Sequence, residues 1–318
     1  MSSERSRLLP HQARRQKDTT TSALSSFGGF IRAHAFSPLP GFDSGNSLQA
    51  AYIPPLLLQC LISGLGDASI FTLTKTWVGF MTGNMVQMVI NSFDLLLPSD
   101  SNAGDNQGEV RRKLESNVSA IFGFMIGCQI ASNLVTRLAT ERTKRITIVL
   151  LSLYRSLATL TIILVGTQYP AFRLSGSLGW LVISILAASF GCQSTYSTSL
   201  ATPFSNTVVF TATLTSVSSD LHLLMLNLTG SNRLKLMGIV GLLGGAALSQ
   251  VILKIATKAS KRDKHQAVQR ALIALSIMEL LLAASWFLCG ILSSWREHQC
   301  RGQARLQHVE RASESEDT

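Results

Sequence analysis

The sequence predicts an all-α, polytopic membrane protein, and three observations carry that prediction. Hydrophobic residues make up 46% of the 318 and charged residues only 14%, where a soluble domain carries about 25% charge. The mean hydropathy is +0.28 although two polar tails are included, so the charge is thinned out mainly between residues 50 and 295. Within that stretch several runs reach the roughly 20 apolar residues needed to cross a bilayer.

The elements follow in order. Residues 1–48 are rich in Ser, Arg, Thr, Gly and Pro and read as a disordered basic tail. No basic n-region leads straight into an apolar stretch, so no cleaved signal peptide is expected. Glu4, Leu8 and Leu9 fit an acidic-dileucine sorting pattern. It points to the plasma membrane or an endomembrane, the vacuole included, if the N-terminus is cytosolic. A transmembrane domain over 49–295 holds apolar segments at 51–73, 76–97, 117–136, 146–167, 178–200, 204–226, 236–256 and 271–292, and 296–318 form a polar tail. The second segment carries Thr82, Asn84, Gln87, Asn91 and Asp94, and the sixth a Ser/Thr ladder with Asp220. Both are expected to be broken or re-entrant, which membrane depth tolerates only against protein or water. Pro98 to Glu115 reads as a polar loop.

The net charge of +10 does not indicate nucleic acid, because the basic residues sit in tails and short loops, as they do when they orient a membrane protein. Clusters at Arg137, Arg142, Lys144 and Arg145 and at Lys254, Lys258, Lys261, Arg262 and Lys264 are expected on the same side as the basic N-terminal tail. Seven crossings, with the second segment not passing through, satisfy all three. Cys60, Cys128, Cys192, Cys289 and Cys300 include no C-x-x-C pair, and they are expected to pack as small apolar residues.

The two halves of the domain align. Leu151 to Gly166 matches Leu275 to Gly290, which sets Arg155 against Glu279. Small residues at spacing four recur at Gly123, Gly127 and Ala131 and at Gly241, Gly245 and Ser249. Such stripes let helix backbones approach closely. Met81 to Asn84 matches Phe210 to Thr213, and Gly64 to Ala68 matches Gly191 to Thr195. This order predicts an internal duplication, an architecture frequent among secondary transporters.

Polar residues inside the apolar segments mark the places to look for function. A carboxylate at bilayer depth costs about 2.5–3.5 kcal/mol on the permissive insertion scale, so Asp67 must be protonated, paired or hydrated. It is the candidate for ion or proton coupling, or else a satisfied structural carboxylate. Thr82, Gly83 and Asn84 offer a hydroxyl, bare backbone and an amide to a polar solute, with Gln193, Thr211 and Thr213 as second-half counterparts; helix–helix hydrogen bonding is the plainer alternative. Gly64, Gly66 and Gly83 are expected to shape broken helices. Arg155 and Glu279, each among apolar neighbours, are expected to pair across the repeat interface. No phosphate loop, nucleophile elbow, metal-ligand spacing or cofactor motif occurs in the sequence, so neither an enzyme nor a bound metal or cofactor is expected.

At "GLGDASIF", "FMTGNMV" and "VVFTATLTSVSSDL" the sequence resembles the YoaK-type membrane proteins, a multi-pass family of unknown function found in bacteria and fungi, and its long tails resemble the fungal members. The match rests on Gly64, Asp67 and Ala68, on Met81 to Asn84, and on Thr211 to Leu214. The chain departs from the family at Gln193-Ser194, where Gln-Asn is common, and at Thr211-Ala212-Thr213, where Thr-Gly-Thr is common. The resemblance implies the fold and the choice of residues but names no substrate. The expected function is transport of a small solute, with the lipid bilayer as partner and a homo-oligomer allowed. The rival readings are a non-transporting scaffold and a passive channel.

Overall fold

The structure is a computed structural model and describes residues 53–97, 107–138, 144–200, 214–215, 218–219, 230–259 and 265–289. Seven helices fill them: α1 (Ile53–Thr74), α2 (Met81–Leu96), α3 (Gln107–Ser132, continued by a π-helical turn, Asn133–Leu138), α4 (Lys144–Gln168), α5 (Gly179–Ser199), α6 (Gly230–Ala259) and α7 (His265–Cys289). Among the described residues there is no strand. Five helices, α1, α3, α4, α6 and α7, are long and apolar enough to cross a membrane, so the chain is an integral, multi-pass membrane protein. At 21 residues, α5 spans about 31 Å at 1.5 Å per residue, also enough to cross. Its lower hydropathy comes from the polar run after Cys192, of which Gln193 and Ser197 are buried and bonded to α1.

Two expected boundaries move. Helix α3 begins at Gln107, inside the stretch read as a polar loop, because Lys113–Glu109 and Arg111–Glu115 ion pairs at helical spacing support its first turns. The second segment is a 16-residue helix preceded by an unwound turn over 75–80. The break falls at Lys75, whose φ of 58° is the positive value that ends α1, and not at Gly64 or Gly66, which lie within continuous helix. The sixth segment lies almost wholly outside the described residues.

Side-chain contacts fix the helix directions. Gln59 bonds Ser197 and Ser63 bonds Gln193, so α1 and α5 are antiparallel. Ser69 bonds Ser249 and Thr72 bonds Gln250, so α1 and α6 are parallel. Gly123 packs on the Ser184 carbonyl and Gly127, one turn on, packs on that of Ala188, so α3 and α5 are parallel. One cavity is lined by both Thr74 and Glu109, which places the start of α3 beside the end of α1. The chain therefore leaves α1 and enters α3 at one end of the bundle, the Lys75 end. It leaves α5 and enters α6 at the other, the Arg137 end. The described helices thus make six crossings, where seven were expected. The basic clusters at Arg137–Arg145 and Lys254–Lys258 then lie at opposite ends, which corrects the expectation that they share a side. Counting charges failed because α3 begins at the end of the bundle where α1 stops, and α6 begins at the end where α5 stops.

The close packing has a regular pattern. A Cβ added at Gly64 would meet the Leu242 carbonyl and Ala246 nitrogen, and one at Gly191 would meet the Phe124 carbonyl and Cys128 nitrogen. Gly245 faces the Leu61 carbonyl, and Gly127 the Ala188 carbonyl; Gly241 faces that of Leu57, and Gly123 that of Ser184. Every α1 residue here has an α5 counterpart at one constant spacing, and every α3 residue an α6 counterpart at another. The small-residue stripes are thus occupied within the chain.

Candidate functional sites at membrane depth

Three polar constellations lie inside the bundle. In the first, Asp67 on α1 accepts hydrogen bonds at Oδ1 from the Val78 and Gly79 backbone N–H groups, at 2.9 and 2.7 Å. The unwound turn has lost helical partners for these donors, and buried donors must find others. Gly79 fits there because a Cβ would come within 2.9 Å of Oδ2. Asn84, fully buried, grips the same turn: its Oδ1 accepts from Trp77 N–H at 2.9 Å and its Nδ2 donates to Trp77 C=O at 2.6 Å. At Gly83 a side chain would strike the rings of Phe80 and Trp77, and Trp77 stacks on Phe71 at 4.0 Å. Asp67, Gly83 and Asn84 thus converge on the turn over 75–80. Thr82 does not join them: it is exposed, on a helix whose Met85, Val86, Val89, Ile90 and Phe93 also face outward.

The second constellation ties α1 to α5. Gln193 Nε2 donates to Gln59 C=O at 3.2 Å and to Ser63 Oγ at 2.8 Å, and Gln59 Nε2 donates to Ser197 Oγ. The hydroxyls of Ser63 and Ser197 donate to the backbone carbonyls of Gln59 and Gln193, so each hydroxyl oxygen is left to accept. That fixes both amide orientations and leaves Gln59 Oε1 and Gln193 Oε1 without partners. Sequence reasoning selected Gln193 but missed Gln59, Ser63 and Ser197. Gln59 is the lone amide in its apolar run, and that was the available signal.

The third constellation is a fully buried ion pair. Arg155 Nη2 on α4 donates to Glu279 Oε1 on α7 at 2.9 Å, and both side chains are 0% exposed. Thr159 donates to Glu279 Oε2 at 3.1 Å, Arg155 Nε donates to Ser189 Oγ at 2.9 Å, and the guanidinium lies over the Phe190 ring. Beside it Ser156 and Ser276 exchange bonds with each other's carbonyls. Tyr196, also buried, lies against the same ion pair, its hydroxyl beside the Ser152 and Arg155 side chains. Thr159, Ser189, Ser152 and Tyr196 carried no sequence signal, apart from Thr159 standing one turn beyond Arg155. Thr211, Thr213 and Asp220 lie outside the described residues, as do Glu4, Leu8 and Leu9.

A protein-family model matches residues 56–262, from the first turns of α1 past the end of α6, under the description "Protein of unknown function (DUF1275)". No curated protein and no solved structure matches the chain. The matched stretch takes in the Asp67–Asn84 turn, the glutamine–serine cluster and Arg155, and on that match the chain belongs to the DUF1275 family of unknown function.

Proposed function

We propose that the protein moves a small solute across a membrane by alternating exposure of a central site between two inverted halves. The observation that carries this reading is the repeated packing. Gly64, Leu242 and Ala246 make the contacts that Gly191, Phe124 and Cys128 make in the other half, while α1 and α5 run in opposite directions. Helices α1, α3 and α4 would form one repeat and α5, α6 and α7 its inverted copy, with Arg155 meeting Glu279 where the copies join. Transporters with such repeats bind their cargo near the midplane, at the repeat interface. The turn over 75–80 is then a hinge held by Asp67 and Asn84. We place the protein in the plasma membrane or an endomembrane, with the dileucine pattern at Glu4, Leu8 and Leu9 as the sorting signal.

Uptake into proteoliposomes, screened with labelled small carboxylates, amino acids and sugars, tests this. Saturable uptake of one class is expected. Flux without saturation would make the protein a channel, and no flux from folded protein would make it a scaffold. Asp67→Asn keeps an acceptor at Oδ1 and is expected to retain uptake. Asp67→Leu strands two backbone N–H groups at about 1–3 kcal/mol each and is expected to lose both uptake and thermal stability. Loss of uptake in a fully folded Asp67→Asn would instead make this carboxylate the coupling group.

A further inference from the structure

One end of the bundle carries an apolar crevice ringed by cations. A cavity of about 440 Å³ lies at the Lys75 end between α4, α5 and α7. Buried Ile162, Ile163, Val182 and Leu272 form its inner wall. Arg173, His265 and Arg270 also line it, and no acidic residue does. Arg173 Nε donates to the Gly166 carbonyl at 3.2 Å, and the Ser175 hydroxyl lies 3.2 Å from His265 Nδ1. The connection from α4 to α5 is thereby held across the start of α7, with Arg173 and Arg270 both exposed. A planar guanidinium fork suits phosphate oxygens.

What lies beyond the cations decides the kind of anion. On α7, Arg270 heads a stripe at helical spacing whose next members, Ile273, Ile277 and Leu280, are all exposed. In a chain that crosses the membrane this face meets acyl chains, and Ile277 stands about 10 Å further along the helix than Arg270 at 1.5 Å per residue. A soluble anion would use the cations and leave the apolar face unused. A phospholipid uses both, its phosphate at the guanidiniums and an acyl chain along α7. Basic pockets between spanning helices at the bilayer surface take anionic headgroups in this way. A second cavity beside the first turns of α7, lined by Lys254 and Lys258, has no acidic residue either, so the surroundings add to the attraction.

We propose that the cavity at Arg173 and Arg270 binds the phosphate of an anionic phospholipid whose acyl chain follows the exposed face of α7. The inference goes beyond the transport reading and stands without it. Purified full-length protein in detergent is titrated with dioctanoyl phosphatidylglycerol, with dioctanoyl phosphatidylcholine and with sodium phosphate at constant ionic strength, and thermal unfolding is followed. A saturable rise in Tm with phosphatidylglycerol is expected, well above the response to zwitterionic phosphatidylcholine or to phosphate. Arg270→Gln changes an exposed side chain, so the variant should fold normally, and its Kd for phosphatidylglycerol should weaken about fivefold, the worth of one cation near an anionic lipid surface. Arg173→Gln/Arg270→Gln should weaken it further. Arg137→Gln, which removes an exposed cation at the opposite end, should bind as the unaltered protein does. No saturable rise, an equal rise with phosphatidylcholine, an unchanged Kd in the double variant, or a loss as large in Arg137→Gln would overturn the proposal. An equal rise with phosphate would assign the cavity to a soluble anion and overturn the lipid reading.

Discussion

Glu279→Leu is expected to destabilise the folded protein by about 3–5 kcal/mol, because it leaves the Arg155 guanidinium buried without its counter-charge. Both side chains are fully buried, so neither charge has water to fall back on. Arg155→Leu should cost a similar amount for the converse reason, and it also frees Ser189 and uncovers the face of Phe190. The double variant Arg155→Met/Glu279→Leu should recover most of the loss, since replacing both partners of a buried pair by apolar groups of similar volume is often neutral or better. Chemical or thermal unfolding in a single detergent decides it. A double variant as unstable as the sum of the singles would mean that the two residues serve separate partners. The exchange Arg155→Glu/Glu279→Arg is a harsher form of the same test, because Thr159 and Ser189 are placed for the native polarity.

The glycines give the second large effect. Alanine at Gly64, Gly127, Gly191 or Gly245 would drive a methyl group into a backbone carbonyl of the neighbouring helix. Helix backbones yield little, so each substitution is expected to cost about 1–3 kcal/mol, as overpacking does. Leucine at any of the four should prevent the folded state from forming. Gly244 is the control: it stands next to Gly245 in sequence, and nothing lies within 4 Å of an added Cβ. Gly244→Ala should leave stability unchanged or raise it by about 0.5–1 kcal/mol, the helical gain of alanine over glycine. Counterpart positions, Gly64 with Gly191 and Gly127 with Gly245, should lose similar amounts because they meet the same kind of surface. Equal losses at Gly244 and Gly245 would contradict the packing described.

How much of this was legible in the sequence depends on the kind of signal each residue leaves. Asp67 and the "MTGN" stretch stood out because polar side chains and glycines are rare in apolar runs. The structure brings Asp67, Gly83 and Asn84 to one turn, while Thr82 points away. Helical periodicity in so apolar a segment says little about which residues face the protein and which face lipid. Arg155 and Glu279 were legible as a pair only through the alignment of the two halves. Ser152, Thr159, Ser189 and Tyr196 left no mark, because Ser and Thr commonly bond to their own helix carbonyls and look alike whether or not they serve a neighbour. The start of α3 was hidden for the opposite reason. Glu109, Arg111, Lys113 and Glu115 read as loop by composition, yet they close ion pairs at helical spacing. The order of crossings was hidden as well, since it depends on where the chain turns back and not on how apolar each segment is.

The direction in which each helix crosses underlies both the packing described and the proposed transport, and sided labelling tests it most directly. In a background without native cysteines, single cysteines at Glu109, Ser175, His265, Arg137 and Arg233, all exposed residues near helix ends, are reacted with a membrane-impermeant maleimide in sealed vesicles. Six crossings predict that Glu109, Ser175 and His265 label from one face of the membrane and that Arg137 and Arg233 label from the other. Labelling of His265 from the face opposite to Ser175, or of Arg137 from the face opposite to Arg233, would contradict it.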